Sequence, residues 1–302
     1  MNISLNFVKK FVDQKKAEER PIKLGKKPSY SQDEFESDTS EELQNAREIK
    51  KAISGTFFSG GGMVDVALAS IIDSEFAVEY DPKISAVYQQ NNETRFMGAD
   101  VMDFDSTKFE GKLDYFHASP VCKTYSNAIS NQGKQNRLDN GIDMATAKKT
   151  AEAIKNIKPR AFTLENVKGY QNSEPLQQIK DALTEEGYTF DEGVYNAADY
   201  GAATSRERYF IRAVKDGNLP PLPDKIDPSE YKGWHSVVED LIDTLPEADT
   251  NPRMINSLRD ISGIDVNNIA QPLLVFGESY KNGEFGHAWA DEPMPTIIAN
   301  SG

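Results

Sequence analysis

Ala52-Ile53-Ser54-Gly55-Thr56-Phe57-Phe58-Ser59-Gly60-Gly61-Gly62 is the stretch that decides the fold. Ala52 to Phe58 reads as a buried strand. A glycine turn follows, and then a helical pattern to about Ile72. Three glycines after a strand let backbone approach a ligand closely and leave amide donors at a helix start. The pattern then repeats. Glu75 to Tyr80 reads as a second strand, and Asp81-Pro82 as an N-cap with proline at the first helical position of a helix to about Gln90. Leu113 to Ala118 is a third strand, and Ile142 to Ile157 a helix. Ala161 to Leu164 is a strand, Leu176 to Glu186 a helix stopping before Gly187, and Tyr209 to Val214 another strand. Alternating strands and helices predict an α/β fold: a mostly parallel sheet with helices on both faces. Ligands bind beyond the carboxyl ends of such strands. Ser59 to Gly62, Glu79, Asp100, Cys122 and Glu165 all fall at or near those ends.

The flanks have a different texture. Residues 1–20 space Leu5, Phe7, Val8, Phe11 and Val12 as a helix would. Residues 21–45 are polar, without a period, and read as an exposed arm. Beyond Asp216, Pro220, Pro221 and Pro223 break the pattern. Residues 217–290 mix short apolar segments with isolated aromatics such as Tyr231, Trp234 and Trp289. The expected organisation is an N-terminal helix and acidic arm over 1–50, a main domain over 51–216 and a small irregular lobe over 217–302. No apolar run approaches the roughly 18 residues of a membrane span, and the N-terminus has no signal-peptide pattern. A single cysteine permits no internal disulfide and no cysteine-rich zinc site, so no metal is expected. These readings predict a cytoplasmic protein.

The net charge of −14 argues against binding nucleic acid through the whole surface. Its distribution is uneven. Residues 123–170 hold nine basic side chains against four acidic ones. Any nucleic-acid contact is expected to centre there, helped by the 217–290 lobe, with Lys148, Lys149 and Lys155 contributing.

The chemistry lies in three segments. Cys122 stands in Ser119-Pro120-Val121-Cys122-Lys123-Thr124-Tyr125-Ser126. A lone cysteine is usually a small buried hydrophobe, but Pro120 and the polar run after it place this thiol on a loop at a strand end. Glu165 ends an apolar strand. Arg206 and Arg208 open another. A thiol, a carboxylate and two arginines in this order suggest covalent chemistry on an electron-poor ring. On the opposite side, Glu79 could bind the hydroxyls of a ribose, and Asp100 could accept from an adenine amino group. An adenosine ligand fits both. The residues do not separate NAD from S-adenosylmethionine, and the glycine spacing is not G-x-G-x-x-G.

Together these segments resemble the C5-cytosine-specific DNA methyltransferases over roughly Ala52 to Val214. Phe58-Ser59-Gly60-Gly61-Gly62 is similar to the family's methyl-donor loop, and Glu79 and Asp100 to its ribose and adenine acids. Cys122 with Ser126 resembles the Pro-Cys motif, Glu165-Asn166-Val167 the Glu-Asn-Val motif, and Arg206-Glu207-Arg208 the Gln-x-Arg-x-Arg segment. Val121 replaces the usual proline, Thr56 an aspartate and Thr204 a glutamine. The resemblance implies a Rossmann-like methyltransferase fold with a target-recognition lobe. It implies methyl transfer from S-adenosylmethionine, leaving S-adenosylhomocysteine, to C5 of cytosine in flipped-out double-stranded DNA. Cys122, Glu165, Arg206 and Arg208 would be catalytic. Phe58, Ser59, Gly60, Gly62, Glu79, Tyr80, Asp100, Val101 and Pro120 would bind the donor. Ser126 to Gln135 would close over the base. A prokaryotic or phage origin and a restriction-modification role follow from the same resemblance.

Three other readings stay open. One is an RNA (tRNA) cytosine C5-methyltransferase. The second is a catalytically weak or silent homologue. The third is one subunit of a split enzyme, because the family's final Gly-Asn-x-Val segment is not found after Pro293 to Ala299 and a second polypeptide could supply it.

Overall fold

The computed structural model describes residues 51–125, 141–244, 252–266, 268–278 and 285–295. The helix expected over 1–20, the arm after it, the loop from Ser126 to Gln135 and the stretch beyond Pro295 lie outside these residues.

The chain order is β1 (Ala52–Phe57), α1 (Met63–Leu68), β2 (Ile72–Val78), α2 (Pro82–Asn91), β3 (Thr94–Gly98), β4 (Tyr115–Ala118), α3 (Ile142–Ile157), β5 (Ala161–Asn166), α4 (Glu174–Glu185), β6 (Tyr188–Asn196), β7 (Thr204–Ser205) and β8 (Glu207–Lys215). Seven strands form one sheet in the order β3-β2-β1-β4-β5-β8-β6. The first five run parallel. β8 is antiparallel to both β5 and β6. The mostly parallel α/β sheet is therefore as expected, with one reversed strand near an edge.

Alternation along the strands makes the sheet two-faced. Phe57, Phe76, Phe116 and Phe162 are wholly buried and join Ile154, Ile157, Ile179 and Leu183 of α3 and α4 in the core. The rings of Phe57 and Phe116 meet edge to face at 5.1 Å, the geometry that ring quadrupoles favour. The intervening positions are polar. Thr56, His117 and Thr163 stand in register across β1, β4 and β5. The Thr163 hydroxyl bonds Tyr115 Oη at 2.6 Å and His117 Nδ1 at 2.8 Å.

Some boundaries differ from expectation. The helix after the glycine turn stops at Leu68, and Ile72 already begins β2. β3 and β6 were not expected. β3 carries Arg95 and a half-exposed Phe96 at the sheet edge, and β6 carries Asp191 and Glu192. Neither presents the apolar run that marks a buried strand.

The chain divides into two compact units. One is Ile49–Ala197 with Arg206–Lys225 and contains the large sheet. The other includes Ala198–Ser205 and the described residues from Ile226 onward. It holds α5 (Glu239–Ile242), α6 (Pro252–Asp260), an antiparallel pair of β9 (Leu273–Glu278) and β10 (Phe285–Trp289), and β11 (Met294–Pro295) parallel to β7. Trp234 Nε1 donates to the Ala288 carbonyl at 3.2 Å within it. Among the described residues no helix is long and apolar enough to cross a membrane.

Candidate active site

Cys122 lies on the loop that leaves β4. Three contacts hold this loop against its neighbours. Ser119 Oγ donates to Glu165 Oε2 at 2.7 Å. Asn166 Nδ2 donates to the Pro120 carbonyl at 3.1 Å, in a buried position. The Thr124 N–H donates to Asp143 Oδ2 at 3.0 Å, also buried. The thiol is half-buried. Burial pushes it above its ordinary range, and the nearby Glu165 charge adds to this. The Val167 N–H and Arg208 act the other way and favour the thiolate.

Glu165 sits at the carboxyl end of β5 with a different partner on each oxygen. Oε2 accepts from Ser119, and Oε1 faces Arg208 Nε at 3.0 Å. Antiparallel pairing makes this possible. Glu165 pairs with Phe210, so the start of β8 arrives where β5 ends. Arg206 is exposed just before β8. Its N–H donates to Asn196 Oδ1 at 2.9 Å, and its guanidinium feels the charges of Arg208 and Glu165. The structure thus brings Cys122, Glu165 and Arg208 together and leaves Arg206 at their margin.

A second group forms beyond β1, β2 and β3. Phe58 adopts a left-handed backbone, φ 58°, which starts the tight turn. The Gly60 N–H donates to Glu79 Oε2 and the Asp81 N–H to Glu79 Oε1, both at 2.9 Å. Glu79 thereby ties the glycine turn to the start of α2. Ser59 Oγ is buried without a partner. Asp100 accepts the Met102 N–H at 2.9 Å and caps the short turn in which Val101 is buried. Tyr80 is 77% exposed. Pro120 is buried on the loop two residues past β4. Thr56, where the resembled family has an aspartate, is buried and donates to Asp65 of α1 at 3.3 Å. The acid missing at position 56 is met in space by another carboxylate, which burial pushes up.

The basic stretch is less available than its composition suggests. Lys149 pairs with Glu152, Lys155 with Glu185, Lys158 with Glu110, Arg160 with Asp114 and Lys168 with Glu207. Lys149 is also largely covered, its side chain 12% exposed. Of the three lysines expected to contribute to a nucleic-acid contact, Lys149 and Lys155 stand in ion pairs and Lys148 is exposed. Sequence reading missed Ser119, Asp65 and Asp143. Ser119 follows β4 directly, and its partner Glu165 lies 46 residues away along the chain. Asp143 had no signal beyond its place in a first helical turn.

The thiol, the paired carboxylate and the glycine turn tied by an acid all lie beyond the carboxyl ends of the parallel strands of a Rossmann-like sheet. The chain belongs to the C-5 cytosine-specific DNA methylase family, whose profile matches residues 54–266. It is 31% identical over 207 residues to Type II methyltransferase M.FnuDI of Fusobacterium nucleatum, covering 65% of this chain and 58% of that protein. It is 28% identical over 230 residues to Type II methyltransferase M.AquIA of a Picosynechococcus strain, covering 66% of this chain and 90% of that one. The chain thus spans about half the length of several curated relatives, 47% of M1.BsuMI of Bacillus subtilis among them. A crystal structure of a Spodoptera frugiperda DNMT2 variant aligns with a TM-score of 0.50 and 18% identity, over 70% of this chain and 66% of that one. That likeness concerns the fold.

Proposed function

We propose that the protein transfers a methyl group from S-adenosylmethionine to C5 of cytosine in double-stranded DNA, as the modification arm of a restriction-modification system. The observation that carries this is Glu165 beside Cys122, clamped by Ser119 on one oxygen and Arg208 on the other. A carboxylate fixed in this way is preorganised to meet the edge of a base while the thiol attacks it.

The donor side supports the reading. Each oxygen of Glu79 holds one backbone N–H and keeps acceptor capacity for a ribose hydroxyl. Asp100 keeps an oxygen for an adenine amino group, and Ser59 Oγ, buried without a partner, belongs to the glycine turn that Glu79 holds. Phe58, Gly60, Gly62, Tyr80, Val101 and Pro120 complete the proposed donor contacts. S-adenosylmethionine supplies an electrophilic methyl and leaves as S-adenosylhomocysteine.

Cytosine C5 is a poor nucleophile on its own. Addition of the Cys122 thiolate to C6 makes C5 an enamine carbon that can take the methyl. Glu165 hydrogen-bonds N3 and the exocyclic amine, stabilising charge as it develops. Arg208 holds Glu165 in place, and Arg206 is placed for the O2 edge or a phosphate. Loss of the C5 proton and elimination of Cys122 restore the enzyme. The base has to leave the duplex for this chemistry. In this reading the 217–302 lobe selects the target.

The test is incubation of the purified chain with labelled donor and separate DNA and RNA pools. Label in DNA, abolished in Cys122→Ser, is the expected result, together with a stable adduct on 5-fluorocytosine DNA, whose C5 fluorine does not leave as a proton would. Near wild-type turnover by the serine variant rejects the covalent route. Label in RNA alone rejects the DNA assignment. Turnover only after a C-terminal fragment is added supports the split enzyme.

A further inference from the structure

Behind the Cys122 loop lies a polar cluster that the chemistry above does not use. Asp143, in the first turn of α3, is 6% exposed. Its Oδ2 takes the Thr124 N–H, two residues past the thiol. Its Oδ1 is buried with no partner. Tyr170 is wholly buried on the turn after β5, and its hydroxyl is unpartnered too. The Tyr125 ring meets the Tyr170 ring edge-on at 5.5 Å. Gly169 lies against the loop so closely that a Cβ there would stand 2.4 Å from the Tyr125 carbonyl oxygen. Residues 122–125 are therefore gripped between the start of α3 and the turn after β5. A buried carboxylate with one idle oxygen costs stability, and a neutral asparagine could make the same loop contact.

We propose that Asp143 is a positioning residue for the nucleophile: it pins the loop that carries Cys122 through the Thr124 N–H and places a buried carboxylate behind the thiol. This rests on the reading of Cys122 as the nucleophile. The charged groups acting on the thiol come from three elements. Asp143 on α3 and Glu165 on β5 disfavour the thiolate, and Arg208 on β8 favours it. Lys123 is exposed beside it in sequence, and Tyr125 and Tyr170 are held neutral by burial. Burial acts first to raise the thiol, the two acids add to it, and the Val167 N–H and Arg208 oppose them.

The experiment is alkylation of the full-length chain by iodoacetamide across pH. The chain has one cysteine, so the label reads Cys122 alone. Asp143→Asn keeps an acceptor for the Thr124 N–H, turns an amide toward Tyr170 and removes the charge. Its alkylation midpoint should fall by roughly 0.5–1 pH unit, with alkylation at neutral pH about three- to tenfold faster and the melting temperature held. Asp143→Ala also loses the pin, so it should lose methyl transfer beyond the loss in Asp143→Asn. An unchanged or raised midpoint in Asp143→Asn overturns the proposal, even if Asp143→Ala fails to fold. Alkylation does not depend on methyl transfer, so failure of the functional reading, seen as an active Cys122→Ser, is a separate result.

Discussion

Glu165 has two partners that can be removed separately, and this makes it the most informative single residue. Glu165→Gln keeps an oxygen for Ser119 and loses the charge that faces Arg208. If the carboxylate stabilises the activated base, turnover should fall by roughly 10²–10⁴, while DNA affinity changes little. Steady-state rates with labelled donor, beside DNA titrations, check this. A loss confined to DNA affinity would make Glu165 a binding residue only. The places of Cys122 and Glu165 near strand ends were legible because both follow apolar runs, and Cys122 is the one cysteine of the chain. Ser119 and Asp143 were not legible. Each acts through a contact between distant segments, such as the 46-residue separation of Ser119 and Glu165, and spacing along the chain does not carry that information.

The glycine turn between β1 and α1 is the element with the least freedom. Gly62 has φ 81°, and a Cβ there would lie 2.0 Å from Asn92 Nδ2 and 2.6 Å from the Tyr88 ring. Gly62→Ala meets both the left-handed backbone and the close approach, so about 2–4 kcal/mol of stability should be lost. Thermal melts measure it; a change below about 1 kcal/mol would mean that the turn relaxes freely. The turn was legible because its chemistry is local. So was α3, whose observed limits, Ile142–Ile157, are those expected. Its apolar spacing is clear, and Lys158 ends it in a left-handed conformation. The Asp81 cap was equally local, since its side chain takes the N–H groups of Lys83 and Ile84. β3 and β6 were hidden by their charged residues. The reversal of β8 was hidden as well, because strand direction is fixed by crossover geometry rather than by residue type.

The whole fold carries a built-in sensitivity to acid. His117 is 5% exposed on the polar face of the sheet, and burial pushes it from 6.5 to about 4. The folded protein accommodates the neutral ring. Below pH 6.5 the unfolded chain takes up a proton that the folded one refuses, so stability falls as pH drops from 6.5 toward 4. The full effect is about 3 kcal/mol. Denaturant melts across this range should show it, and His117→Asn should flatten that part of the profile; parallel profiles for the two proteins would remove His117 as the cause. The reversed strand has a consequence of another kind. Arg208 reaches Glu165 only through the pairing of β5 with β8, with α4, β6 and β7 between them along the chain. Long-range pairings close late, after the loop entropy between them has been overcome. On the ribosome, Cys122 and Glu165 emerge well before Arg208. The site is therefore complete only once β8 has emerged and paired with β5.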